Sequence, residues 1–339
     1  MRNNDFATFL STYFLKYVPT RTGYSGNTIK SYRDTFIIFL KYCNDELSIK
    51  PEKINFTLLN RNMVEDFLSW LECGKKKYSI PSRNLRLAAI QAFFRYIQLE
   101  LPEYMELCSS ILAIKSKKTP VSEMNYLSVA GIKSLLSMPN TNLQSERRDL
   151  AILSLLYDTG ARVQEIADLQ VTDIRIKVPA TIRLTGKGKK TRIIPLMPQT
   201  MVILKIYMTD YGLFDGKSEP HPLFFNRNRI KLTRAGLSYI LNKNVEKAKV
   251  NNRSLFPNKM SPHVLRHSKA MHLLQSGVNL IYIRDFLGHS SVTTTELYAK
   301  TNPEIKRKAI EEASPKVLPK EIFSIKEKED LFEWLKSAI

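Results

Sequence analysis

Apolar residues in the first third of the chain recur at helical spacing. In "SGNTIKSYRDTFIIFLKYC", Ile29, Tyr32, Phe36 and Phe39 share one face behind an Asn or Thr able to cap a helix. "NRNMVEDFLSWLE" repeats the pattern with Met63, Phe67, Leu68 and Leu71, and "IPSRNLRLAAIQAFFRYIQ" with Leu87, Ile90, Phe94 and Ile97. These stripes predict a helical bundle over residues 1–112, with Arg83, Arg86 and Arg95 on its other faces. "AIKSKKTPVSEM" interrupts the periodicity. It is short, basic and proline-containing, so residues 113–121 read as a linker. From residue 122 the pattern is mixed. "ERRDLAILSLLYDTGARVQEIADLQVTDI" predicts a helix, a turn at Asp158 to Gly160, and a second helix. In "ATIRLTGKGKKTRIIPL", Ile182 and Leu184 precede a glycine-lysine turn and Ile193 and Leu196 follow it, which signals a hairpin. Helices resume near Pro198, with an extended "HPLFFN" between them, and this second domain runs over residues 122–312. The tail, residues 313–339, differs again: Leu331, Trp334, Leu335 and Ile339 form an amphipathic pattern too short to bury its apolar side alone. The fold class is therefore mainly α with a small antiparallel β-sheet, in two domains.

Charge narrows the partners. Lysine and arginine number 52 against 32 acids, a net +20 and a pI near 9.7. Such an excess repels itself unless something acidic binds it. Double-stranded nucleic acid, with its dense line of phosphates, comes first, and an anionic membrane surface second. A bilayer span needs roughly 20 apolar residues, and no run approaches that. "MRNNDFATFL" lacks a signal-peptide pattern. Cys43, Cys73 and Cys108 have no metal-ligand spacing and suit reduced thiols in a cytoplasmic protein.

Candidate chemistry is concentrated between Ser261 and Lys300, which holds four of the five histidines. Ser261 and Pro262 suit a helix start, and His263 and Arg266, three apart, share a face. A guanidinium fork matches phosphate oxygens, and an imidazole can donate a hydrogen bond or take a proton. The bland alternative is a structural histidine beside a surface arginine. His267 and His272 read as structural, His221 offers no chemistry, and a zinc site lacks both a completing carboxylate and the HExxH order. "TGARVQEIADL" puts Arg162 just after a turn, with Glu165 placed to orient it. "TGKGKKTR" puts Lys187 at a hairpin tip, where Lys189, Lys190 and Arg192 add charge, without Walker A spacing. Gly288 marks a helix end before His289, and Tyr298 follows in "TTTELYAK".

Taken in order, "TGARVQEIADL", "TGKGKKTRIIPL", "HVLRHSKA" and "LGHSSVTTTELY" resemble the tyrosine recombinase, or phage-integrase, family. The resemblance covers the chain to about residue 312; its one departure is Lys269, in "RHSKA", where an aromatic residue is usual. It implies a helical core-binding (SAM-like) domain and a catalytic domain closing as a C-shaped clamp on DNA. It implies Arg162 and Arg266 as catalytic arginines, Lys187 as the hairpin lysine, His263 and His289 as the histidines, and Tyr298 as the nucleophile. DNA contacts are expected from Arg83, Arg86, Lys115, Lys117, Lys118, Lys189, Lys190 and Arg192. The implied reaction is site-specific DNA strand cleavage and rejoining through a 3′-phosphotyrosyl bond, with neither metal nor cofactor. The implied assembly is a monomer in solution and a homotetramer on paired, inverted-repeat sites, with the tail docked on a neighbour. Integration, excision or transposition of a bacterial mobile element is the expected role; resolution of chromosome or plasmid dimers and non-cleaving DNA binding are the alternatives. A type IB topoisomerase and a metal-dependent nuclease are weaker ones.

Overall fold

Side chains that satisfy free backbone donors decide where several of the helices begin. Ser25 caps one by accepting from the Thr28 amide, in place of the Asn or Thr expected from the sequence, and Asn60 caps another through the Met63 amide. These positions come from a computed structural model describing residues 5–74, 77–119, 124–186, 188, 190–214, 221–289, 333, 334, 336 and 337. The chain divides into two compact units, residues 1–122 and 123–339.

The first unit holds α1 (Asp5–Thr12), a π turn (Tyr13–Tyr17), α2 (Val18–Arg21), α3 (Gly26–Leu47), α4 (Arg61–Cys73), α5 (Ile80–Glu100) and α6 (Met105–Leu112). The expected stripes face inward: Phe36, Phe39, Phe67, Leu68, Leu71, Leu87, Ile90, Phe94 and Ile97 are all buried. Phe93 lies at the centre, edge-on to Phe6, Tyr13 and Phe36 at ring-centroid distances of 5.7, 5.3 and 5.2 Å.

Of the three arginines of α5, Arg95 is exposed as expected, while Arg83 and Arg86 depart from the outward placement. Arg83 is buried, paired with Glu72 at 3.4 Å and donating to the Lys115 carbonyl. Arg86 donates to the Ser31 carbonyl and the Thr35 hydroxyl. Their long stems cross between helices, and the guanidinium forks donate to acceptors within the unit. The basic segment after α6 is also held. Asn84 exchanges hydrogen bonds with the backbone of Lys117, Gln91 donates to the Leu112 and Ile114 carbonyls, and the Lys117 ammonium pairs with Glu72 at 2.8 Å. Lys115 and Lys118 point to solvent.

The second unit holds α7 (Val129–Leu136), α8 (Gln144–Asp158), α9 (Val163–Asp168), β1 (Ile174–Arg175), β2 (Thr181–Thr185), β3 (Thr191–Pro195), α10 (Pro198–Asp210), α11 (Arg234–Asn251), α12 (Pro262–Gln275) and α13 (Leu280–Leu287). The strands form an antiparallel sheet in the order β1-β2-β3, with Ile182 opposite Ile194 and Leu184 opposite Arg192. β1 lacks a clear signal in the sequence, being two residues long. The hairpin alternates as its period of two requires: Ile182, Leu184 and Ile194 are buried, while Ile193 is 70% exposed. Helix α8 is buried on most of its surface and packs on α10 and α12. A smaller cluster of Ala270, Met271, Leu274, Ile283 and Leu287 locks α13 onto α12. Of the tail, Glu333, Trp334, Lys336 and Ser337 are described; all are helical and exposed.

Phe93 is fully buried, so Phe93→Ala should cost about 3–5 kcal/mol in the first unit by lost transfer energy and cavity formation. Urea denaturation followed by aromatic near-UV dichroism would measure it; a loss under 1 kcal/mol, roughly that of a surface change, would contradict the packing described.

Candidate active site

Helix α12 starts as the sequence suggests, with Pro262 in its first turn, although Ser261 makes no side-chain capping bond. One turn on from His263, Arg266 is driven inward and is 3% exposed. Its Nη1 donates to the Gly160 carbonyl at 2.7 Å and its Nη2 to the Leu287 carbonyl at 2.6 Å. Gly160 is required there: φ is +55°, and a Cβ would lie 2.8 Å from a Leu287 methyl. The turn ends at Arg162, the residue just before α9. The Arg162 amide and Nη1 donate to the two Glu165 oxygens at 2.9 and 3.0 Å, and its Nη2 reaches the Gly288 carbonyl at 3.3 Å.

Helix α13 supplies the opposite wall. It stops at Gly288, which takes φ +64°. The Gly288 and His289 amides return to the Asp285 and Arg284 carbonyls. The carbonyls of Phe286, Leu287 and Gly288 accept instead from Arg192 Nε at 2.9 Å, from Arg266 and from Arg162. Three successive acceptors at a helix C-terminus are thus met by three arginines from three other segments, each cation lying where the helix dipole favours it.

Glu165 offsets part of this charge. It is buried and receives a bidentate pair from Arg192 at 3.0 and 2.7 Å besides its bonds from Arg162. Burial alone would raise its pKa, but the hydrogen bonds and charge of Arg192, with those of Arg162, outweigh burial and lower it. The histidines are pushed toward the neutral form. Desolvation, then the charges of Arg266 and Arg162, lower the pKa of His263. The same causes, with weaker ones from His267 and Arg192, bring His289 to about 4. At neutral pH both imidazoles keep one acceptor and one donor nitrogen.

Arg162, His263, Arg266 and His289 therefore come together, from three places in the sequence. Arg162 and His289 line a cavity of about 520 Å³ with Lys190, Arg192 and Gly288. Its walls offer guanidinium and imidazole donors suited to an anion with several oxygens. Lys187, Lys189 and Tyr298 lie outside the described residues. Arg192 is not the open groove contact expected: its side chain is 13% exposed and is engaged by Glu165 and Phe286. The strand period carried that signal, because Arg192 shares a face with the buried Ile194 and Leu196. His272 bonds the Tyr157 hydroxyl at 2.9 Å, His267 sits 6.3 Å from His263 between ring centroids, and His221 bonds the Pro222 carbonyl. Lys269 fills the position usually aromatic by pairing with Asp158 at 3.2 Å over the Tyr157 and Phe286 rings. Nothing in the sequence indicated that pair or the three backbone carbonyls, since they join segments 21 to 126 residues apart. Among the described residues no group of three or more His, Cys, Asp or Glu is placed to hold a metal ion, and no helix is long and apolar enough to cross a membrane.

Comparison with known proteins shows the family and the fold. Residues 125–304 match the phage integrase family, and residues 12–100 its N-terminal SAM-like domain. A Sinorhizobium fredii protein named for integrase/recombinase, y4rC, is 34% identical over 314 residues, 93% of each chain. Tyrosine recombinase XerD of Listeria innocua is 30% identical, covering 84% of this chain and 91% of its own. The fold is that of the XerH site-specific recombinase bound to its difH substrate (TM-score 0.64, 23% identity, 83% of this chain and 78% of that one). It is also that of the Tn1549 transposon integrase in complex with transposon right-end DNA (TM-score 0.68, 17% identity, 90% and 99%). With the integrase model spanning more than half of the chain and a 34% identical relative aligned along nearly all of it, the chain belongs to the tyrosine recombinase, or phage integrase, family of site-specific DNA recombinases.

Proposed function

We propose that Arg162, Arg266, His263 and His289 hold and activate one phosphate of double-stranded DNA, with Tyr298 as nucleophile and Lys187 as general acid. The gathering of these four groups carries this reading: Arg162 and His289 line one cavity, and Arg266, bonded to the Gly160 and Leu287 carbonyls beside it, is close enough with Arg162 to lower the pKa of both His263 and His289. The Tyr298 oxygen bonds to phosphorus as the bond to the 5′ oxygen of the next nucleotide breaks. His263, neutral in this setting, takes the phenolic proton; Lys187 gives a proton to the leaving oxygen. Arg162 and Arg266 donate to the non-bridging oxygens as their charge grows, and His289 adds a hydrogen bond. The two arginines are already fixed by backbone carbonyls, so little reorganisation of them opposes the transition state. A 3′-phosphotyrosyl bond and a free 5′-hydroxyl result, and attack by a 5′-hydroxyl from another strand reverses the step and rejoins the DNA.

Exchange between two duplexes takes four such sites, hence a homotetramer on paired inverted-repeat sites assembled from monomers. The acidic tail, with five acids against three lysines over residues 321–339, suits docking on the basic surface of a neighbouring copy. Mobile-element integration, excision or transposition in the bacterial cytoplasm is the role we favour. The likeness to y4rC along 93% of the chain supports a recombinase of this size, and Lys115, Lys118 and Lys190, exposed, suit DNA backbone contact.

On a duplex nicked beside the cleavage point, the wild type should accumulate a covalent protein–DNA adduct, and Tyr298→Phe none while still shifting the duplex in a gel. An adduct from Tyr298→Phe would assign the nucleophile elsewhere. The second-order rate of adduct formation reports the free enzyme. Because the His263 pKa lies below the ordinary 6.5, protonation disables the base only in more acid solution, and the rate should hold steady as pH falls from 8 to 6.5. A loss centred above pH 6.5 would exclude His263 as the base. Removing residues 321–339 should weaken synapse formation more than duplex binding. Equal losses in gel-shift titrations would speak against docking on a neighbour.

A further inference from the structure

We propose that Arg192 is a positioning residue for strand cleavage: it sets Arg162, acting through Glu165, and the α13 terminus that leads into His289, in one mutual register. The inference rests on the reading of Arg162 and His289 as phosphate ligands given above.

Three observations support it. First, Arg192 occupies a core-facing place on β3, opposite Leu184, where an apolar residue would ordinarily sit. A cation there has to be held by partners. Second, the partners belong to two different segments, α9 and the end of α13, each adjoining a residue that lines the cavity, Arg162 and Gly288. Nη1 and Nη2 take both oxygens of Glu165, the carboxylate that also holds the Arg162 amide and Nη1, while Nε takes the Phe286 carbonyl. Third, the turn after α13 rests directly on the guanidinium: a Cβ at Gly288 would lie 2.9 Å from Nη1 and 3.2 Å from Cδ. The strand that carries Arg192 also pairs with β2 down to Thr185 opposite Thr191, at the base of the turn that contains Lys187 in the sequence. One planar group thus ties the hairpin, the Arg162 turn and the His289 turn together.

The consequence for the reaction is geometric. Without Arg192, Glu165 loses a bidentate partner and keeps only its Arg162 bonds, so Arg162 is drawn toward the carboxylate and away from a phosphate. The Phe286 carbonyl loses its donor, and the terminus before His289 is released. DNA affinity depends on charge spread across a chain of net +20 and hardly changes. Chemistry suffers, because a misplacement of about 1 Å costs on the order of 10²-fold in rate. Lysine repairs this only in part: its single ammonium reaches Glu165 or the Phe286 carbonyl but cannot span both as a fork does.

The test uses full-length wild type, Arg192→Gln and Arg192→Lys. Duplex affinity is read by gel shift, and adduct formation by single turnover on a nicked duplex at saturating protein, with circular dichroism at the assay temperature verifying that each variant is folded. The expected result is a Kd within about threefold of wild type, an adduct rate on the order of 10²-fold slower for Arg192→Gln, and an intermediate rate for Arg192→Lys. A methylphosphonate at the scissile position removes the charge that Arg162 would meet. The Arg192→Gln defect should shrink on that substrate, whereas a general loss of folded structure would persist on it. Arg192→Gln forming adduct at the wild-type rate overturns the proposal, and so does a fall in affinity as large as the fall in rate. An Arg192→Gln too unstable to assay passes the decision to Arg192→Lys, where a wild-type rate overturns it. Absence of adduct from the wild type itself overturns the reading of the site and this proposal with it; adduct from the wild type and undiminished adduct from Arg192→Gln overturn this proposal alone.

Discussion

The C-terminus of α13 is the constraint around which the candidate site is arranged. An α-helix leaves its last carbonyls without intrahelical donors, and buried acceptors of that kind are costly unless they are met. Here the carbonyls of half-buried Phe286, buried Leu287 and exposed Gly288 are met by Arg192, Arg266 and Arg162. Each arginine comes from a different segment: a strand, the middle of α12, and the turn before α9. The same bonds that satisfy the helix end therefore set the distances between the cationic groups. They leave the site with an excess of positive charge that Glu165 only partly offsets.

That excess decides the protonation of the neighbouring rings. His263 and His289 are desolvated and face the charges of Arg266 and Arg162, and both have lowered pKa values. A protonated imidazole beside two guanidiniums would add repulsion with little water to screen it. The site is thus built from fixed cations and neutral imidazoles. Such a set can donate to a phosphate and still accept a proton from a nucleophile. The carbonyl bonds explain how this chain holds its arginines in place.

In the first unit, arginine serves a different purpose. Arg83 and Arg86 spend their donors on Glu72, Thr35 and backbone carbonyls, and so hold α5 to α3, α4 and the segment after α6. The basic stretch that reads as a linker is bound along Ile114 to Lys117 by Gln91, Asn84 and Glu72. Net charge in a sequence does not separate cations that meet a partner from cations that meet the protein itself; burial does.

What the sequence alone determined was periodicity and order. The helical stripes of α3, α4 and α5, the hairpin around "TGKGKK", the helix start at Pro262 and stop at Gly288, and the succession of Arg162, His263, Arg266 and His289 were all legible, because each rests on local spacing or on a motif read along the chain. Tertiary structure decided which cations turn inward, that Lys269 meets Asp158, and that three carbonyls of one helix end collect three distant arginines. Those outcomes depend on segments brought together from as far apart as Arg162 and Gly288, and on backbone acceptors that every residue carries alike. An acceptor common to all positions leaves no mark in a sequence until the fold selects which ones are left without a donor.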